Sequence, residues 1–174
     1  SVHNNVMSSA TGSVYLPDGS VYDEGRIFSY RLSYNKGASI IHTLRFEMQN
    51  DNLFFQTLQN FQTQFKDSTA TSEEFKQVAE ATAGRSFTDY FNQWLYGEGY
   101  PTINITYYKP NPGSLLLLIN ETVSAPAITP FFKGYLELTL QTTTGDTTVL
   151  VNLSTNNQIF SFNTNRVVTG IVVD

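Results

Sequence analysis

The stretch FTDYFNQWLYGEGYPTINITYY, residues 87–108, joins two different patterns of apolar residues. Its first half places Phe87, Tyr90, Phe91, Trp94 and Leu95 at intervals of three and four, the spacing of one helix face. Gly97 and Gly99 then stop that helix, and Pro101 follows. From Thr102 onward apolar and polar residues alternate, as they do along a half-buried strand. The change falls near Tyr100. The expected fold is therefore α+β in two parts: a helical segment, residues 1–99, followed by an antiparallel β-sandwich, residues 100–174.

Upstream of this stretch the helical pattern recurs three times. A first helix is predicted from Lys36 to Gln49, with Ile41, Leu44 and Met48 on one face. A second, from Asp51 to about Phe65, carries Phe54, Phe55, Leu58, Phe61 and Phe65. A third opens at Thr71-Ser72-Glu73-Glu74, a capping box in which Thr71 and Glu74 satisfy each other's amides. Gly84 suits the left-handed position that ends it. Short connections make neighbouring helices antiparallel. Before them, residues 1–32 read as irregular. Leu16-Pro17-Asp18-Gly19 is a turn signature between Val14-Tyr15 and Val21-Tyr22, and predicts a small hairpin.

Downstream, strands are predicted near 102–108, 114–120, 131–141, 146–153, 157–162 and 166–173. Turn residues separate them, among them Asn111-Pro112-Gly113, Gly145-Asp146 and Asn163-Thr164-Asn165. Short strands at this spacing define a sandwich.

Composition narrows the function. The 174 residues are 40% hydrophobic, with 13 Phe and 10 Tyr, enough for a sizeable core. A net charge of −5 with no Lys/Arg stripe argues against nucleic acid as a partner. No apolar run reaches the roughly 18 residues of a membrane span. The absence of cysteine excludes disulfides, thiolate metal sites and a cysteine nucleophile together. Abundant Asn, Thr, Tyr and Phe with few Lys give the profile of an exported protein. The start, SVHNNVMSS, lacks the charged, apolar and small-residue regions of a signal peptide. The chain reads as a piece of something longer.

Few residues carry recognisable chemistry. The two histidines, His3 and His42, are far apart, and no H-E-x-x-H occurs, so no metal ligand set is assigned to this chain. His42 reads as a partly buried structural histidine and His3 as solvated. No G-x-S-x-G or phosphate loop is present. Glu73 and Glu74 belong to a helix first turn, where acids favour the dipole. Asp18, Asp23 and Glu24 lack the spacing of a calcium loop. Asn104, Asn120 and Asn152 begin Asn-x-Ser/Thr sequons, which matter only in a eukaryotic secretory cell. Tyr34, at the start of the first helix in SYNKGASIIHTLR (residues 33–45), is left as a phenol that either covers the helix end or reacts.

That segment resembles a known motif. Tyr34-x-Lys36-Gly37-Ala38, followed by an apolar helix ending Leu44-Arg45, is similar to the Y-x-K-G-A segment of the aminopeptidase N family of gluzincin zinc metallopeptidases. Phe54 to Phe65, Thr71 to Phe75, Gly84, Phe91-Asn92-Gln93-Trp94-Leu95 and Gly99-Tyr100-Pro101 follow in the family's order. The resemblance covers about residues 26–107.

The resemblance implies a C-terminal portion of such an enzyme. Residues 1–99 would be the helical end of a thermolysin-like catalytic domain, and residues 100–174 the sandwich that often follows it. The zinc motif would lie upstream, so zinc belongs to the parent protein and none is expected in this fragment, which alone would be inactive. Peptide substrates would engage through the upstream domain. The resemblance gives Tyr34 a catalytic role, donating a hydrogen bond to the oxyanion as zinc-activated water attacks the scissile carbonyl. A phenol ordinarily ionises near about pH 10, so it keeps its proton to donate at neutral pH. Lys36 and Gly37 are assigned structure, Lys36 pairing locally and Gly37 permitting close helix packing. Tyr30, four residues earlier, is a candidate to line the substrate cleft. Resemblance to secreted bacterial versions agrees with a secreted, cell-surface or periplasmic location. The alternative is a non-catalytic sandwich, a binding or scaffold module of a degenerate relative, for which Tyr107-Tyr108 and Phe131-Phe132 are the aromatic candidates. In regular strands each of those pairs points one ring inward.

Overall fold

Ile40, Leu44 and Met48 recur every fourth residue on helix α3 (Gly37–Met48) and are all buried. Leu44 and Met48 are on the face predicted, but Ile41 is 36% exposed and Ile40 takes its place. Gln49 ends α3 in the left-handed conformation, and the Asn50 side chain accepts from the Leu53 amide to start α4 (Asp51–Gln64). The computed structural model describes residues 1–111, 113–164 and 166–173. It divides into two units, Ser1–Gly99 and Tyr100–Asp174.

The first unit is helical. Two one-turn helices, α1 (Val2–Val6) and α2 (Glu24–Ile27), precede a π-helical segment, Tyr30–Lys36, that runs directly into α3. After α4 comes α5 (Ser72–Ala83), which begins with the predicted capping box and ends at Gly84 with φ +67°. Helix α6 (Thr88–Phe91) continues as a second π-helical segment, Asn92–Tyr96. The core gathers Leu44 of α3, Phe54 of α4, Ala79 of α5 and Phe91 of α6, with Trp94 packed partly against it. Burying each large apolar side chain contributes roughly 1.5–3 kcal/mol. The hairpin predicted around residues 14–22 does not form. Its central turn closes (Ser20 N–H to Pro17 O, 2.8 Å), but Tyr15 donates its amide to Leu95 O at 3.0 Å, so no cross-strand ladder develops.

Tyr90 couples α6 to α3. Its ring is 5% exposed, and its hydroxyl donates to the Ile40 carbonyl at 2.6 Å. Tyr90→Phe keeps the ring and removes one buried donor, so it should cost about 1 kcal/mol of stability. A lower urea midpoint with an unchanged m-value is the expected result, and an unchanged midpoint would show that the bond contributes nothing net.

The second unit is built from strands β1 (Pro101–Asn111), β2 (Ser114–Val123), β3 (Gly134–Thr142), β4 (Thr147–Leu153), β5 (Gln158–Asn163) and β6 (Val168–Val173). Among the described residues they form two antiparallel three-stranded sheets, ordered β1-β2-β5 and β4-β3-β6. Alternate residues Leu115, Leu117 and Ile119 of β2 face Leu138 and Leu140 of β3 across a single core. This is the expected α+β fold, helices first and a two-sheet β region after. The third strand begins at Gly134 rather than near residue 131. Phe132 stays in the connection, buried, where its amide donates to the Glu121 carboxylate at 2.7 Å.

Among the described residues, no helix is long and apolar enough to cross a membrane.

Candidate functional site

The SYNKGA segment folds differently from a plain helix start. Ser29 caps it, accepting from the Leu32 amide at 3.2 Å. The Tyr34 amide then reaches five residues back to Ser29 O at 3.3 Å, and the Gly37 amide reaches Leu32 O, so the turn is one residue wider than an α-turn. Such π-turns are rare and occur frequently at functional sites. Tyr34 therefore lies inside a helical segment, not at its opening. The wide turn sorts the side chains into two sets. Leu32, Asn35 and Lys36 are 8%, 8% and 3% exposed, whereas Tyr30 and Tyr34 are 69% and 53% exposed. Among the described residues, nothing hydrogen-bonds the Tyr34 hydroxyl.

The segment holds the N-terminal region, both α1 and the irregular strap that follows it. Asn35 Nδ2 donates to Asn5 Oδ1 at 2.8 Å, Arg31 Nη2 to Thr11 O at 2.8 Å, and Lys36 Nζ to Gly12 O at 2.9 Å. Arg26 Nη2 continues the series, donating to Ser13 O and Tyr15 O, each at 2.8 Å. Gly12 has φ +100°, and a Cβ there would lie 2.9 Å from the Leu32 methyls. Only glycine lets the strap approach this closely. The Gly12 amide donates to Glu98 Oε2 at 2.9 Å.

Lys36 thus bonds a residue far away in sequence, not a local partner. Burial pushes its ammonium down to about 8, a fall opposed by the Glu98 charge and reinforced by Arg31. Gly37 is not needed for close packing, because a Cβ there would meet only Leu32 O at 3.9 Å. Instead it lines an apolar cleft of about 480 Å³, with Ser33, Ile40, Phe61, Phe75 and Leu95 among the other walls.

Other candidates resolve into scaffolding. Glu74 completes the α5 cap, accepting from the Thr71 amide at 2.7 Å, and Glu73 pairs with Lys76 at 3.2 Å. Asp23 caps α2. His42 is exposed on α3, contrary to the partly buried position predicted for it; Ile40 and Leu44 occupy the inner face. Among the described residues, no three His, Cys, Asp or Glu side chains are grouped to hold a metal. In the second unit, Tyr107 and Tyr108 are 41% and 65% exposed, so neither ring is turned into the core as a regular strand predicts. Lys109 lies over the Tyr107 ring at 5.7 Å.

Two groups escaped the sequence reading. One is the buried Lys36. The other is Glu121, 4% exposed, which follows Leu115, Leu117 and Ile119 on the inward side of β2. Its signal was the strand period itself, which places residue 121 in the core.

No protein-family model matches the chain, and no curated protein matches it. Among solved structures, an aminopeptidase has a similar fold. Aminopeptidase A of Legionella pneumophila, solved in complex with aspartic acid, aligns over 79% of this chain with a TM-score of 0.63 and 15% identity. The chain spans 16% of the length of that protein.

Proposed function

We propose that this chain is the C-terminal portion of a zinc-dependent, aminopeptidase-like metallopeptidase, and that Tyr34 donates a hydrogen bond to the oxyanion formed during peptide-bond hydrolysis. The observation that carries the reading is an exposed phenol, without a partner among the described residues, on a π-turn whose Arg31, Asn35 and Lys36 side chains are tied down. A donor fixed before the reaction acts on developing charge without reorganising. The fold shared with part of an aminopeptidase supports the same reading.

Among the described residues no group of His, Cys, Asp or Glu could hold a metal, so this reading assigns the zinc to the upstream part of the parent protein. The metal and the substrate's main contacts belong to the rest of the parent protein, and the chain alone is inactive. Export to the cell surface, periplasm or medium follows from the same reading. A polypeptide extended upstream through the zinc-binding segment should hydrolyse an aminoacyl nitroanilide, lose that activity to a chelator and regain it with zinc. An extended protein that folds, binds no zinc and cleaves nothing would sink the peptidase reading.

The second reading, a sandwich that binds a polypeptide or glycan, is favoured by one observation. Tyr108 and Ile159 are 65% and 67% exposed on strands that flank β2 in one sheet. Retained binding by residues 100–174 after loss of all hydrolysis would support it.

A further inference from the structure

We propose that Lys36 is a positioning residue for Tyr34: by clasping the Gly12 carbonyl it holds the π-turn that directs the phenol outward. The inference rests on the reading of Tyr34 as a functional phenol and adds the device that orients it.

A π-turn carries one more residue per turn than its α-helical continuation, and α geometry is the ordinary state of a helical chain. Something outside the segment must therefore select the wider turn. The contacts that can do so come from residues 5–13. Asn5 receives the Asn35 amide, Thr11 receives Arg31, Gly12 receives Lys36, and Leu32 packs against the Gly12 backbone. Lys36 is the last residue of the turn and the most deeply buried of the set. Its anchor is itself anchored, because the Gly12 amide is taken by Glu98 at 2.9 Å. If Lys36 lets go, the segment is free to narrow to an α-turn. Dropping one residue from the turn rotates whatever precedes Lys36 by about 100°, given 3.6 residues per α-turn. Tyr34, two residues before, would swing off its outward direction while α3 and the core beyond it stay in place.

Lys36→Met keeps the chain length and apolar stem and removes the donor. The test uses the 174-residue chain labelled with 3-fluorotyrosine and read by fluorine NMR, with Tyr34→Phe and Tyr90→Phe identifying the two signals that matter. In Lys36→Met the Tyr34 signal should leave its wild-type position while the Tyr90 signal, from the ring buried under α3, holds. A Tyr34 signal that does not move overturns the proposal. So does a Tyr90 signal that moves as far, because the change is then general loosening. If Lys36→Met does not fold, Glu98→Ala decides by the same criterion, since it releases the Gly12 amide and so loosens the residue whose carbonyl Lys36 holds.

In the upstream-extended protein, Lys36→Met should reduce kcat by about tenfold to a hundredfold with KM unchanged, the effect of a misplaced group. The two readings separate there. If Tyr34→Phe is slow and Lys36→Met is as fast as wild type, positioning alone fails. If Tyr34→Phe is as fast as wild type, the function of the phenol fails, and the positioning role with it.

Discussion

Tyr34→Phe in the upstream-extended protein is expected to lower turnover by about 100- to 1,000-fold, or about 2.7–4 kcal/mol of transition-state stabilisation. KM should change little, because a donor aimed at the oxyanion bonds more strongly in the transition state than to the ground-state carbonyl. The substitution is clean. The Tyr34 ring is 53% exposed and belongs to neither hydrophobic core, so losing one hydroxyl neither opens a cavity nor orphans a buried partner. Stability should stay within about 0.5 kcal/mol of the parent. Matched folding and zinc content make the comparison interpretable. Equal turnover in the two proteins would return the phenol to a covering role at the helix.

Glu121→Gln should remove a pH-dependent loss of stability in the sandwich. In the folded chain burial raises the Glu121 carboxyl from 4.5 to about 7, although the Phe132 amide at 2.7 Å favours the charged form. The folded state then holds a proton that the unfolded state has released, so stability falls as pH rises between those values. Below the lower value both states are protonated and the carboxyl costs nothing. Above about 7 the penalty is complete, up to about 3 kcal/mol at roughly 1.4 kcal/mol per pK unit. Glutamine cannot ionise, and its amide oxygen still accepts from Phe132. Hydrogen exchange of the β2 amides, which reads the sandwich by itself, should slow up to about a hundredfold in the variant at pH 8, after correction for intrinsic rates, and match wild type at pH 4.5. A constant difference at both pH values would mean that the carboxyl is not the titrating group.

These two predictions draw on different depths of information. Glu121 was legible in principle, since β2 alternates and residue 121 takes an inward place. The predicted strand stops at residue 120, where Asn120-Glu121-Thr122 turns polar, whereas β2 continues to Val123 and carries Glu121 inward. The Tyr34 motif is legible as a motif, and its phenol is 53% exposed. Its geometry is not legible, because the local pattern predicts a helix starting at Lys36 and contains nothing to distinguish a π-turn from an α-turn.

Much of the architecture is local and was written locally. The Thr71–Glu74 cap, the left-handed Gly84 and the change of period at Tyr100 each depend on residues a few positions apart, where propensity and periodicity act directly. Phase errors such as Ile41 for Ile40 arose because two adjacent isoleucines satisfy the same period, and only the facing core chooses between them. The burial of Lys36 is of another kind. It is set by Gly12 and Glu98, 24 residues before it and 62 after, through bonds that exist only once the chain has folded back on itself. An ammonium in a sequence reads as solvated because water is its default partner. Only the tertiary structure could supply a carbonyl and a carboxylate to replace that water, and with them the turn on which the phenol stands.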